Sequence, residues 1–407
     1  MSNFLQNPTK CHYPYYLEKH LKTANEKELK LISRDVKQAK ELILLFSSNL
    51  VSTQYDFLSG KGHKIKNLNG KILLKLCGKN YKRIIDYMKK HELIRTDNRY
   101  IVGEKSKSYW FTEIVLKSKV KEHTLKFDTI INRRQEINEK FEKAIAKNVI
   151  ANISVEKVFP QLELPSINQV EAILKRYADS KYETPKGKKY KNPSNKKRQR
   201  LLEGSEVIYT DDLMKIYKYL TKDGIIQFSI GNEGCPRPVF SITLMPKAIR
   251  NEITMNGQKL VELDFTALHP NIANCLYGEN KSMISHQDMA DYLKFPLLKA
   301  KKYNLSYFNY EEKYFLNSKA SNYYKANHPV LYNELLRIKQ IDPMIITHSL
   351  FQKEVELMEK IYVKLDKRGI IPVYVYDAVL VIEKHVDETR QIMNSVAKQM
   401  GIHSIVK

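Results

Sequence analysis

Two periods of apolar residues run through this chain, one of three to four positions and one of two, and the switches between them mark its elements. In LNGKILLKLCGKNYKRIIDYMKKHELI the spacing predicts two short amphipathic helices broken at Gly78. Ile84, Ile85 and Met88 fall on an apolar face, and Lys79, Lys82 and Arg83 on a polar one. RTDNRYIVGEKSKSYWFTEIV then alternates as a β-hairpin should, with its turn near Gly103 to Ser106. NRRQEINEKFEKAIAKNVI and SINQVEAILKRYADSKYE return to helical spacing. TPKGKKYKNPSNKKRQR, with its prolines, Gly187 and nearly unbroken positive charge, predicts an exposed loop or linker.

The last part, from about residue 205, is patterned for a sheet with helices. GQKLVELDFTALHP reads as a strand up to Asp264. HSLFQKEVELMEKIYVKLDKRGIIPVYVYDAVLVIE begins as a helix with Leu350, Val355, Met358 and Leu365 inward, stopped at Gly369. A strand from Ile371 to Tyr376 follows, and Ala378 to Ile382 returns as a second. Asp377 thus falls at a hairpin turn between two apolar strands. The whole is an α+β chain in three parts: 30–116, 117–204 and 205–407.

Charge changes the picture. The 407 residues carry 69 Lys+Arg against 45 Asp+Glu, a formal +24 with a pI near 9.5, which points to a polyanionic partner. The competing reading is a lysine-rich coding bias. The basic tract would serve as a sequence-blind phosphate clamp or as a plain solvated linker. Cys11, Cys77, Cys235 and Cys275 are scattered without a C-x-x-C pair, so neither a zinc site nor a disulfide framework is indicated. The opening MSNFLQNPTK has no apolar core, and LILLFSSNLV is about half the length that spans a bilayer. A soluble, cytoplasmic protein without a membrane partner is expected.

Two readings of Asp264 compete. It could cap a helix from Pro270 to Leu276, an ordinary use of Asp at a strand-to-helix turn. Alternatively, Asp264 and Asp377 end strands of one sheet and hold metal. Nucleotidyl transfer needs one cation to lower the pKa of an attacking 3′-hydroxyl and another to hold the departing pyrophosphate, about 3.5 to 4 Å apart. Strand-end aspartates supply hard oxygen ligands and leave positions open for water and phosphate.

On these residues the chain resembles template-dependent polymerases. DFTALHPNI is similar to motif A of family A DNA polymerases and echoes the Asp-Phe-x-x-Leu-Tyr-Pro-x-Ile motif of family B. VYVYDAVLV resembles motif C of family A, with Tyr376 where that family has histidine, and the preceding helix carries Gln352 and Glu354. The resemblance spans about 230–400. It implies a palm with an antiparallel sheet and helical fingers and thumb, with Asp264 and Asp377 catalytic and, together with Phe265, binding two Mg²⁺ ions that Mn²⁺ can replace. PRPVFSITLMPKAIRNEI is similar to the stretch in which an arginine precedes motif A, matching Arg237 or Arg250. The fingers helix maps to FPLLKAKKYNLSYFNYEEKYF, started by Pro296. The resemblance gives Lys301, Lys302, Tyr307, His269 and Arg250 to the nucleoside triphosphate, with the His269 ring beneath the sugar, and Arg237 and Gln352 to DNA. Histidine departs from both families there, which leaves the choice between dNTP and rNTP open.

The segment 30–116 resembles a winged helix-turn-helix domain. That implies duplex contacts through Lys79, Lys82 and Arg83 on the helix 79–90 and through the wing lysines Lys105 and Lys107. A winged helix that binds protein is the alternative. No Asp-x-Glu exonuclease segment precedes the palm, so no proofreading is expected. The expectation is therefore a small DNA-directed DNA polymerase of a phage, virus or mobile element, working on primer-template in the host cytoplasm. A noncatalytic replication initiator and a primase or RNA polymerase stand as alternatives.

Overall fold

The computed structural model describes residues 8–51, 66–68, 70–97, 107–183, 189–192, 207–221, 228–229, 236–309 and 312–406. The chain is α+β, mostly helical with small, mainly antiparallel sheets. It divides into two compact units, one of Ser2–Lys143 with Asp211–Tyr219, the other of Ala144–Thr210 with Leu220–Lys407. Among the described residues no helix is long and apolar enough to cross a membrane.

In the first unit the two amphipathic helices form as the spacing predicts, Gly70–Cys77 and Tyr81–Lys90. Ile84, Ile85 and Met88 are buried, whereas Lys79, Lys82 and Arg83 are exposed. The break is Gly78, whose φ of +76° lies in the left-handed region that glycine enters without steric cost. Gly78→Ala is expected to cost about 1–2 kcal/mol from that conformation. The check is the urea unfolding midpoint of the whole chain. The strands Ile94–Thr96 and Ser108–Phe111 pair antiparallel as the hairpin requires, and Lys66–Asn67 adds a third strand. The expected turn from Gly103 to Ser106 and the wing residue Lys105 lie outside the described residues.

The compact units differ from the three-part division by composition, because strand pairing is non-local. Val120–Thr124 pairs with Lys10–Pro14 and so belongs with the N-terminal unit. Leu162–Glu163 instead adds to Thr254–Met255 at the edge of the sheet that carries the aspartates. Between these, the helix Ile167–Asp179 begins at a capping box in which Ser166 and Gln169 satisfy each other's backbone N–H groups. The basic tract is described only at 189–192. There, Lys189–Lys191 is a strand parallel to Val207–Tyr209 with Tyr190 buried, not the exposed loop its charge predicted.

The second unit is built on a five-stranded antiparallel sheet. Its order is Val373–Val375, Ala378–Ile382, Gln258–Asp264, Thr254–Met255, Leu162–Glu163. Val373 to Val375 and Ala378 to Val381 are all buried, so the hairpin reads as a continuous apolar run rather than an alternating one. Each buried valine or leucine there contributes about 1.5–3 kcal/mol of burial. Gln258–Asp264 is more open, with Leu263 its one buried residue. Met255 pairs with Gln258 across Asn256–Gly257, both at positive φ, which is the type I′ turn that an Asn-Gly pair encodes. The long helix Pro343–Lys367 ends two residues before Gly369, at φ +70°.

Candidate active site

Antiparallel register brings the two aspartates together. Gln258–Asp264 pairs with Ala378–Ile382 so that Asp264 stands opposite Ala378, the residue after Asp377. Val375 pairs with Ala378, leaving Tyr376 and Asp377 as a two-residue loop. Tyr376 has φ +59° and Asp377 does not, the pattern of a type II′ turn, whose first central position usually holds glycine. An aromatic residue held there stores backbone strain, as residues at functional sites often do.

The capping reading of Asp264 fails on geometry. The following helix is Leu268–Tyr277, two residues longer at its start than the proline predicts, and its N-cap is Ala267 at φ +52° with no side-chain cap. Pro270 falls inside the first turn, where its missing N–H costs nothing. Residues 404–406 pin the segment: Thr266 donates to the Ile405 carbonyl at 2.8 Å, and the Ser404 hydroxyl donates to the Thr266 carbonyl at 2.7 Å.

Electrostatics set the aspartates apart. Asp264 is reached by solvent at the strand end, yet the protein packed around its carboxylate, then the charges of Asp377 and Glu262, push it up to about 7. Asp377 is half-buried. Its carboxyl is likewise raised, first by burial and then by Glu354, against the lowering effect of His269 and Arg237. Two raised carboxyls, one of them pushed up in part by the other's charge, suit a divalent cation, which relieves the repulsion and accepts hard oxygen ligands. Among the described residues no third His, Cys, Asp or Glu joins them in a metal-holding group. Mg²⁺, which keeps several waters and takes one or two carboxylates plus substrate phosphates, fits a donor pair of this kind. Phe265 is buried and its ring has no ligating atom, so only its backbone carbonyl could serve a metal.

Beside the hairpin lies a buried ionic cluster. Glu354, fully buried on the long helix, accepts on Oε2 from His269 Nε2 at 2.7 Å and from Arg237 Nη2. Burial alone would raise its carboxyl, but the His269 hydrogen bond and the Arg237 charge hold it below the ordinary carboxylate range. The Arg237 guanidinium lies 4.0 Å from the Phe351 ring centre and 5.3 Å from that of Tyr376. Glu354 Oε1 and Arg237 Nε are buried with no hydrogen-bond partner among the described residues.

The remaining sequence candidates are distributed. Arg250 is committed to Glu262 Oε2 at 3.0 Å and to the Met245 carbonyl at 3.3 Å, and Lys247 bonds the other Glu262 oxygen at 2.8 Å. Gln352 is exposed, roughly 200° around the helix from Glu354. Lys301 and Lys302 are exposed on the helix Leu297–Tyr307, for which Pro296 is the N-cap. Tyr307 requires a correction. Its ring is fully buried, stacked 4.5 Å from Tyr324 and 4.7 Å from Phe315, and presents no surface to a nucleotide. Tyr307→Ala should therefore cost about 3–5 kcal/mol of stability, as large-to-small aromatic changes in cores do. Tyr307→Phe should leave nucleotide KM unchanged, which steady-state kinetics would check. In the first unit, Lys79, Lys82 and Lys107 are exposed, and the exposed Arg83 donates to the Leu31 carbonyl at 2.6 Å.

Glu262, Lys247 and the clustering role of Glu354 were not singled out from the sequence. Glu262 was findable, since it lies two residues before Asp264 and so shares its strand face. No protein-family model matches the chain, and no curated protein sequence matches it significantly.

Proposed function

We propose that the chain is a template-dependent nucleotidyltransferase, a small DNA-directed DNA polymerase that uses two divalent cations held by Asp264 and Asp377. The observation that carries this reading is the register that sets two raised carboxyls at one end of an antiparallel sheet, with strained residues, Ala267 and Tyr376, on either segment. Mg²⁺ bound there would lower the pKa of a primer 3′-hydroxyl and stabilise charge on the leaving pyrophosphate. The protein's own contribution is rigid placement: Asp264 on a strand paired along its length, Asp377 on a turn between buried strands. His269, tied through Nε2 to Glu354, would lie beneath the incoming sugar as the resemblance implies. Lys301 and Lys302 supply positive charge for a triphosphate.

The first unit reads as a winged-helix-like module in which exposed Lys79, Lys82, Arg83 and Lys107 face duplex phosphates. The formal charge of +24 supports a nucleic-acid partner. The test is extension of a labelled primer on a DNA template with Mg²⁺, with dNTPs and rNTPs offered separately, beside an Asp264→Ala/Asp377→Ala protein. Template-dependent extension by the wild type alone is expected, and the nucleotide accepted defines the sugar preference. Tight DNA binding by both proteins with extension by neither would replace this reading with a noncatalytic initiator.

A further inference from the structure

We propose that Glu354 is a positioning residue for the metal centre: by holding the Arg237 guanidinium against the Tyr376 ring, it fixes the Tyr376–Asp377 turn and with it the Asp377 carboxylate. The inference rests on the metal-binding reading of Asp264 and Asp377, which it deepens.

The argument starts from the turn. A two-residue loop with an aromatic residue at φ +59° does not hold itself, because the conformation disfavours any side chain with a Cβ. Something in the surrounding packing must hold it. Among the described residues, the Tyr376 ring meets the ring of Tyr374, at 6.1 Å between centres, and the Arg237 guanidinium at 5.3 Å. Arg237 is in turn fixed by the Phe351 face and by a charge-assisted hydrogen bond to Glu354 Oε2. Phe351 and Glu354 sit one turn apart on the same long helix, so that helix presents both parts of the grip.

Glu354 is a poor choice for stability alone. It is fully buried, and among the described residues its Oε1 has no hydrogen-bond partner, a condition native proteins rarely leave in place without a role. Both donors converge on the other oxygen, with Arg237 Nη2 and His269 Nε2 only 3.0 Å apart. One carboxylate oxygen therefore couples the residue beneath the metal turn to the histidine five positions after Asp264. Outer-sphere groups of this kind orient metal ligands and change metal affinity when removed.

The test is Mn²⁺ binding to the full chain without DNA, measured by electron paramagnetic resonance, for wild type, Glu354→Gln and Arg237→Lys. Both variants are expected to bind the ion about tenfold more weakly. Arg237→Lys separates positioning from simple charge, because it keeps the cation and loses the planar stack. Weak binding by Glu354→Gln with wild-type binding by Arg237→Lys would reduce Glu354 to a long-range charge and overturn the proposal, as would unchanged binding by both. Absence of Mn²⁺ binding by the wild type would remove the metal centre itself, and the proposal with it. Binding by the wild type with no primer extension would leave the proposal standing while the polymerase reading fell. Circular dichroism of each variant establishes that it is folded.

Discussion

Asp377→Asn should abolish synthesis and at the same time stabilise the metal-free protein. On the proposed reading, loss of a metal ligand that carries several kcal/mol of transition-state stabilisation corresponds to a rate lower by about 10³-fold or more. The rise in stability follows from the raised carboxyl. In the folded chain Asp377 holds its proton to a higher pH than it does unfolded, so the folded state binds more protons across that interval and stability falls as pH rises through it. The contribution is fully present below the ordinary aspartate range and lost above the folded value. Asparagine carries no such charge. The variant should therefore melt a few degrees above wild type at pH 8 in EDTA and alongside it near pH 4, with DNA affinity unchanged. A variant that loses both activity and stability at pH 8 would mark Asp377 as a structural residue.

Mg²⁺ should raise the melting temperature of the wild type strongly at pH 8 and hardly at all at pH 5. A ligand that binds only the folded state contributes about 2.7 kcal/mol at a hundred times its dissociation constant. Here the ion must displace protons, because Asp264 is pushed up to about 7. Below that value each pH unit weakens apparent affinity about tenfold for one proton displaced, so the stabilisation fades between pH 7 and 5. Differential scanning fluorimetry across a Mg²⁺ series at each pH reads this directly. A Mg²⁺ shift that is independent of pH, or that persists in Asp264→Asn, would place the binding site elsewhere.

Tyr307 and Asp264 show how these effects separate from ordinary packing. Tyr307 and Asp264 were both site candidates, yet one is sealed in an aromatic stack and the other stands at a solvent-reached strand end. Their effects should diverge accordingly, on stability for Tyr307 and on chemistry for Asp264. The buried carboxylate of Glu354 belongs with the second group by its contacts, although its helix reads as ordinary amphipathic sequence.

Local pattern by itself determined the elements around the site. Three-to-four spacing placed the helices on either side of Gly78, the apolar runs on either side of Asp377 placed the hairpin, and Gly369 marked the end of the long helix. These follow from backbone geometry and side-chain burial within a few residues, which the sequence carries directly. Only the tertiary structure decided what meets across distance. The pairing of Asp264 with Ala378, the addition of Leu162–Glu163 to the same sheet, the burial of Tyr307 and the convergence of Arg237 and His269 on Glu354 join segments up to 117 residues apart. No periodicity encodes such partners, because register is fixed by which apolar faces can be buried together once the chain has collapsed.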